Sequence, residues 1–316
     1  MTLEGVTVSG SSTGVSVEEG AVVVNVDGTK IMGNGSGTSK GVSVGRFATR
    51  ATLTGTVITG QNKGVGVKVE DKKTSANLTL NGVTISKVAT GVEMKAGNDL
   101  TISGGMIKEV QTGIDMSGSG ALTISGKTEI QFTSDNGYGV YVGGGVVTKA
   151  TLTGTRITGR GSGQGVYVNG GAAWLIGTTL KSVAKGMTVE NGIVVMQNGV
   201  IKFHGEHGVL LKQGHALLVN VGMKYEGDNA DATFLKVDAT EGVNKADIKG
   251  ALIKIDGQGK GLGVHVMNGG RVMLKNTVLA NVVKGVDVFL ESMFHLFLRL
   301  LSVSCVMCVC LGFFIL

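Results

Sequence analysis

The sequence predicts an all-β chain, wound as a right-handed parallel β-helix of about a dozen coils with a hydrophobic, helical C-terminal tail. Three observations predict it. A Gly-Val-x-Val phrase returns about every 25 residues. Apolar residues alternate inside each copy. Pro is absent from all 316 residues.

The phrase stands at Gly14-Val15-Ser16-Val17, Gly41-Val42-Ser43-Val44, Gly91-Val92-Glu93-Met94 and Gly113-Ile114-Asp115-Met116. It continues through Gly139-Val140-Tyr141-Val142, Gly165-Val166-Tyr167-Val168, Gly186-Met187-Thr188-Val189 and Gly208-Val209-Leu210-Leu211. Gly263-Val264-His265-Val266 and Gly285-Val286-Asp287-Val288 close the series. A second phrase precedes it in each unit, as in Leu53-Thr54-Gly55-Thr56-Val57-Ile58. The decapeptides at 51–60 and 150–159 agree at nine of ten positions. The copy at 216–245 is degenerate, with Phe234-Leu235-Lys236-Val237 standing in for the phrase.

Apolar period two means strands, because successive side chains leave opposite faces. The runs are short, rich in Val, Ile and Thr, and separated by Gly, Asn, Asp and Ser. The Gly that opens each phrase is expected to supply a positive φ or a corner too tight for a Cβ. Stacked coils pair strand on strand about 4.8 Å apart, so a dozen give a rod of roughly 55–60 Å. Val15, Val42, Val92, Ile114, Val140, Val166, Met187, Val209, Val264 and Val286 then form one inward column. No coil can bury its own apolar edge, so the stack is the core.

Composition agrees. Gly numbers 54, without a collagen period. Average usage of ~5% would put roughly 16 Pro in the chain. Pro donates no ladder hydrogen bond, and nearly every strand of such a stack is central. The net charge of +6 comes from dispersed Lys and Arg, and aromatic residues make up 4%. A nucleic-acid groove needs clustered cations and stacking rings, so nucleic acid is not an expected partner.

Residues 1–288 read as one repeat domain and 289–316 as a distinct hydrophobic tail. Leu3-Glu4-Gly5-Val6-Thr7-Val8 is already coil language, with no leader pattern before it. We therefore expect sequence upstream. At residue 289 Gly and Thr give way to Phe and Cys, and all three cysteines fall at Cys305, Cys308 and Cys310. Residues 293–316 would span about 36 Å as a helix, enough to cross a bilayer. Two readings stand: a membrane helix, and a frame-shifted end.

Chemistry is sparse. The Gly-x-Gly strings at 159–165 and 257–263 lack the following helix of a dinucleotide site. His204, His207 and His215 lie close in sequence, but on an expected turn rather than on one helix face, so no metal site is assigned. Glu93 and Asp115 occupy the outward position of successive phrases, where two carboxylates disfavour double ionisation, and Lys68 in the preceding coil is placed to relieve them. No catalytic residue and no cofactor are assigned. Tyr141 and Tyr167 share that outward column and are the candidate binding residues, exposed rings of the kind that anchor contacts.

Coil language such as Leu78-Thr79-Leu80-Asn81-Gly82-Val83-Thr84-Ile85, in a cysteine-free repeat region, resembles the passenger domain of a pertactin-type bacterial autotransporter over about residues 1–288. The resemblance implies a surface-exposed, non-enzymatic adhesin at the bacterial outer membrane. Its partners would be host cell-surface or extracellular-matrix molecules. Such passengers carry a signal peptide and a C-terminal β-barrel, and neither pattern occurs here, which reads as a passenger fragment. The alternatives are a β-helix carbohydrate-active enzyme or tailspike-like protein, and a β-helix anchored in a membrane through 293–316. The Asp-Asp, Gly-His-Gly and Arg-Ile-Lys signatures of pectin-cleaving relatives are missing.

Overall fold

The structure is a computed structural model that describes residues 2–17, 23–45, 50–69, 77–95, 99–118, 120–143, 148–239 and 246–289. Those residues form a right-handed β-solenoid of about 11 turns. The expected β-helix runs to Val288. The expected helical tail lies outside the described residues from 290 onward. Among the described residues no helix is long and apolar enough to cross a membrane.

Each rung carries three short strands, which build three walls. Asn77–Asn81, Thr84–Ser86 and Thr90–Met94 make one rung. Leu100–Ser103, Met106–Val110 and Thr112–Met116 make the next. Every strand pairs in parallel with its equivalent one rung on, as Leu78 with Leu100, Ile85 with Ile107 and Val92 with Ile114. In the middle of the rod the strands run on around the corners, giving Gln164–Ile176, Thr179–Gln197 and Val200–Leu211.

The predicted inward column is continuous in the third wall and gains two members. Val67 sits between Val42 and Val92, and Leu235 between Val209 and Val264. From Val42 to Leu235 these side chains are fully buried. The second wall contributes Ile31, Ile58, Ile85, Ile107, Ile130 and Ile157 in register. The degenerate copy is filled by aromatics instead. Phe203 packs on Tyr225 at 5.1 Å and edge-on to Phe234 at 5.2 Å, all three buried.

Of the two expectations for the phrase glycines, the corner too tight for a Cβ holds inside the stack, and none of them has a positive φ. A Cβ on Gly113 would lie 2.4 Å from the Gly139 carbonyl oxygen and 2.4 Å from Ile130 of the next rung. The left-handed residues sit elsewhere, at the corners between walls, as Gly55 at φ 54° and Asn198 at φ 53° between the first and second walls and Lys87 at φ 55° between the second and third. Beside the first of these corners buried threonines tie rungs together: Thr56 Oγ1 donates to Val26 O at 3.0 Å and Thr178 Oγ1 to Leu152 O at 3.1 Å.

Candidate functional site

The outward column of the third wall reads, in register, Lys68, Glu93, Asp115, Tyr141, Tyr167, Thr188. Strand pairing about 4.8 Å apart forces equivalent side chains into contact, which builds the site. Tyr141 and Tyr167 stack with ring centroids 5.5 Å apart and planes 11° apart. A third ring completes the cluster. Tyr138 lies 5.5 Å from Tyr141 and 5.1 Å from Tyr167, tilted against both.

The rings are half-buried rather than exposed, which corrects the sequence expectation. Each covers its neighbour, and Tyr141 lies over Gly143: a Cβ there would meet its Oη at 2.4 Å. Burial, followed by the Glu190 carboxylate and the neighbouring tyrosines, pushes the Tyr167 hydroxyl up to about 12. Burial likewise raises Tyr138, with Tyr141, Asp115 and Glu190 adding to it. Tyr138 and Tyr167 are therefore neutral donors at physiological pH.

Two carboxylates flank the rings on one side. Glu93 and Asp115 are register partners, as expected. Glu93 is 8% exposed, and its Oε1 sits 2.7 Å from Lys95 Nζ and 4.0 Å from Lys68 Nζ. Lys95, not Lys68, is therefore the close counter-ion. Asp115 keeps a buried Oδ1 without a hydrogen-bond partner among the described residues. Burial raises its carboxyl, Ser117 opposes that through a hydrogen bond, and the Glu93 charge raises it further. On the other side of the rings Glu190 pairs with Lys212 at 3.0 Å.

Sequence reasoning missed Tyr138, Lys95 and Glu190. Tyr138 faces outward because Gly139 and Val140 both turn inward at the corner, so strict alternation misplaces it. The histidines do not converge. His207 is buried in the third wall, not on a solvated turn, with Nε2 2.9 Å from Thr188 Oγ1. Burial, with Lys185, Lys236 and Lys212 nearby, pushes it down to about 3. His215 stands on the first wall, 3.5 Å from Asp247. Among the described residues no group of three or more His, Cys, Asp or Glu could hold a metal ion.

A family model described as a right-handed β-helix region matches residues 90–224, which contain Glu93, Asp115 and all three ridge tyrosines. No curated protein and no solved structure matches the chain. Sequence repeat, family model and strand topology agree on a β-helix protein.

Proposed function

We propose that this chain is a non-enzymatic, surface-exposed binding rod. It would act as an adhesin-like passenger fragment that contacts host cell-surface or matrix molecules through Tyr138, Tyr141 and Tyr167. The observation that carries this is the three-ring cluster on an outward wall. Rings held rigidly by a stacked sheet lose little entropy on contact and offer hydroxyl donors along a flat strip. Of the two carboxylates that precede the rings on that column, Glu93 is buried against Lys95 and poorly placed to touch a substrate. The cell-surface location and the partner class rest on the resemblance to autotransporter passengers.

The test is binding of the chain to cultured cells and to matrix proteins. Tyr141→Ala combined with Tyr167→Ala should weaken it at least about tenfold, the loss of a contact hot spot. Unchanged binding removes the site assignment.

A second reading, a carbohydrate-active enzyme, draws on one observation. Asp115 has a raised carboxyl beside Glu93, and two carboxyls in unlike environments are what acid–base cleavage of a glycosidic bond uses. Turnover of an acidic polysaccharide, abolished by Glu93→Gln or Asp115→Asn, would establish that reading instead. A third, membrane anchoring through 293–316, is tested by extracting full-length chain and a version ending at Val288 from membranes.

A further inference from the structure

The first wall carries a second outward surface, unrelated to the tyrosine ridge. Its central column runs, in register, Thr123, Thr151, Trp174, Val195, Leu217, Lys249. Hydroxyls give way to an apolar patch at Trp174, the only tryptophan of the chain. Ile176 is 38% exposed, Ile193 45% and Leu217 39%; they lie on three successive rungs, Ile193 and Ile176 at the two ends of the strand and Leu217 on the central column with Trp174 and Val195 between them. Contiguous exposed apolar area on a flat, rigid sheet marks a contact surface. Charges border it on both sides. Lys149 stands one rung before the patch, its Nζ 4.9 Å from the Trp174 ring. Asp247 stands one rung after it, its side chain 17% exposed, with Oδ2 3.5 Å from His215 Nδ1 and a buried Oδ1 that has no hydrogen-bond partner among the described residues.

We propose that this face pairs with itself in a second copy of the chain, the two rods lying antiparallel. The two-fold axis would run along the strand segment 193–197, at the centre of the patch. That operation exchanges the rungs on either side of the axis and keeps each residue's place along the strand. It sets Trp174 against Leu217, Ile176 against Val219, and Val195 against its own counterpart. The small Ala172 faces the large His215. One rung further out, Lys149 faces Asp247 at each end, so the charges complement each other twice. A two-fold axis along the rod would instead set Ile193 against Gln197. An isologous contact needs such self-complementarity and closes at two copies.

From Lys149 to Asp247 the contact covers four rung intervals, about 19 Å, by one strand width of about 17 Å. That is small beside the ~800 Å² per partner of a standard interface, so the dimer is reversible and concentration-dependent.

The test is sedimentation velocity on the full chain from about 1 μM to about 1 mM. The expected result is a monomer–dimer equilibrium. Leu217→Asp, an outward substitution that leaves the core intact, should weaken it at least about tenfold. Lys149→Glu should also weaken it, and the double variant Lys149→Glu with Asp247→Lys should restore it, because the swap rebuilds both end contacts. Circular dichroism of each variant confirms that the rod is folded. A chain that stays monomeric throughout overturns the proposal. Association indifferent to Leu217→Asp overturns it too, since another surface, such as the apolar tail, would then be responsible. A Lys149→Glu defect that the swap fails to rescue overturns the antiparallel register. The tyrosine ridge lies on another wall, so loss of the dimer and loss of ligand binding are separate outcomes.

Discussion

The rung at Thr112–Met116 and the last described one, Lys284–Val288, carry the same phrase and live in different surroundings. Ile114 and Met116 are fully buried, whereas Val286 and Val288 remain half-buried. A Cβ on Gly113 would strike backbone and side chain at 2.4 Å, whereas one on Gly285 would meet, among the described residues, only Leu279 at 4.0 Å. The phrase is therefore not a local stability element. Each residue's energetic role is assigned by the rung stacked upon it, which is the nearest-neighbour logic of solenoids.

The largest effect should come from glycine. Gly113→Ala forces a Cβ against a carbonyl that cannot leave without breaking the ladder, so we expect a loss of about 3 kcal/mol or more. Gly285→Ala has room, and reduced freedom of the unfolded chain makes it neutral to stabilising by up to about 1 kcal/mol. Denaturant melts of the two variants check this, and equal losses would sink the nearest-neighbour account. Ile114→Ala should follow, costing about 2–5 kcal/mol as a buried cavity, against under about 1.5 kcal/mol for Val286→Ala.

Acid should find the interior before the end. His207 is buried and held neutral, with a folded value of about 3 against 6.5 for the free group. The unfolded chain therefore binds the proton first. The stability this contributes is complete above pH about 6.5 and is lost as pH falls toward 3, by up to about 1.4 kcal/mol per unit. In His207→Gln the slope of unfolding free energy against pH between about 6.5 and 4 should be shallower by close to one proton. An unchanged slope would place the acid sensitivity elsewhere. His265, two rungs nearer the end, is less buried, and Asp287 opposes its depression.

Much of the interior was legible because it repeats. The inward column follows from the phrase alone, and only Val67 and Leu235 were absent from it. Val67 was obscured because Gly64-Val65-Gly66 offers two frames for the same phrase. Leu235 was legible as part of Phe234-Leu235-Lys236-Val237, the stand-in for the phrase, but with Phe234 in place of the glycine it was left out of the column. The outward surfaces were less legible. Tyr138 and His207 each stand one residue before a phrase glycine, where the chain turns a corner and period two breaks. Lys95, just past the end of the Thr90–Met94 strand, reaches back over Glu93, a side-chain path that spacing does not show. The column Trp174, Val195, Leu217 appears only when the register is known, because the corners between rungs differ in length.

The smallest contrast is on the outward column itself, between Asp115 in the interior and Asp287 on the last described rung. Burial and the Glu93 charge raise the Asp115 carboxyl above its unfolded value, so folding favours the protonated form. Stability is then lost as pH rises through that window, and at pH 7 the ionised group is a net burden. A neutral amide removes it. Asp115→Asn should raise stability at neutral pH, by under about 1 kcal/mol given its partial exposure, and the gain should vanish below pH about 3.8, where both states are protonated. Asp287 is half-exposed and paired with Lys284 at 2.6 Å, so Asp287→Asn should bring no gain. Melts of both variants at pH 7 and pH 3.5 decide the matter. A gain at Asp287 equal to that at Asp115 would mean that general charge, not burial in the stack, sets the cost of a carboxylate on this wall.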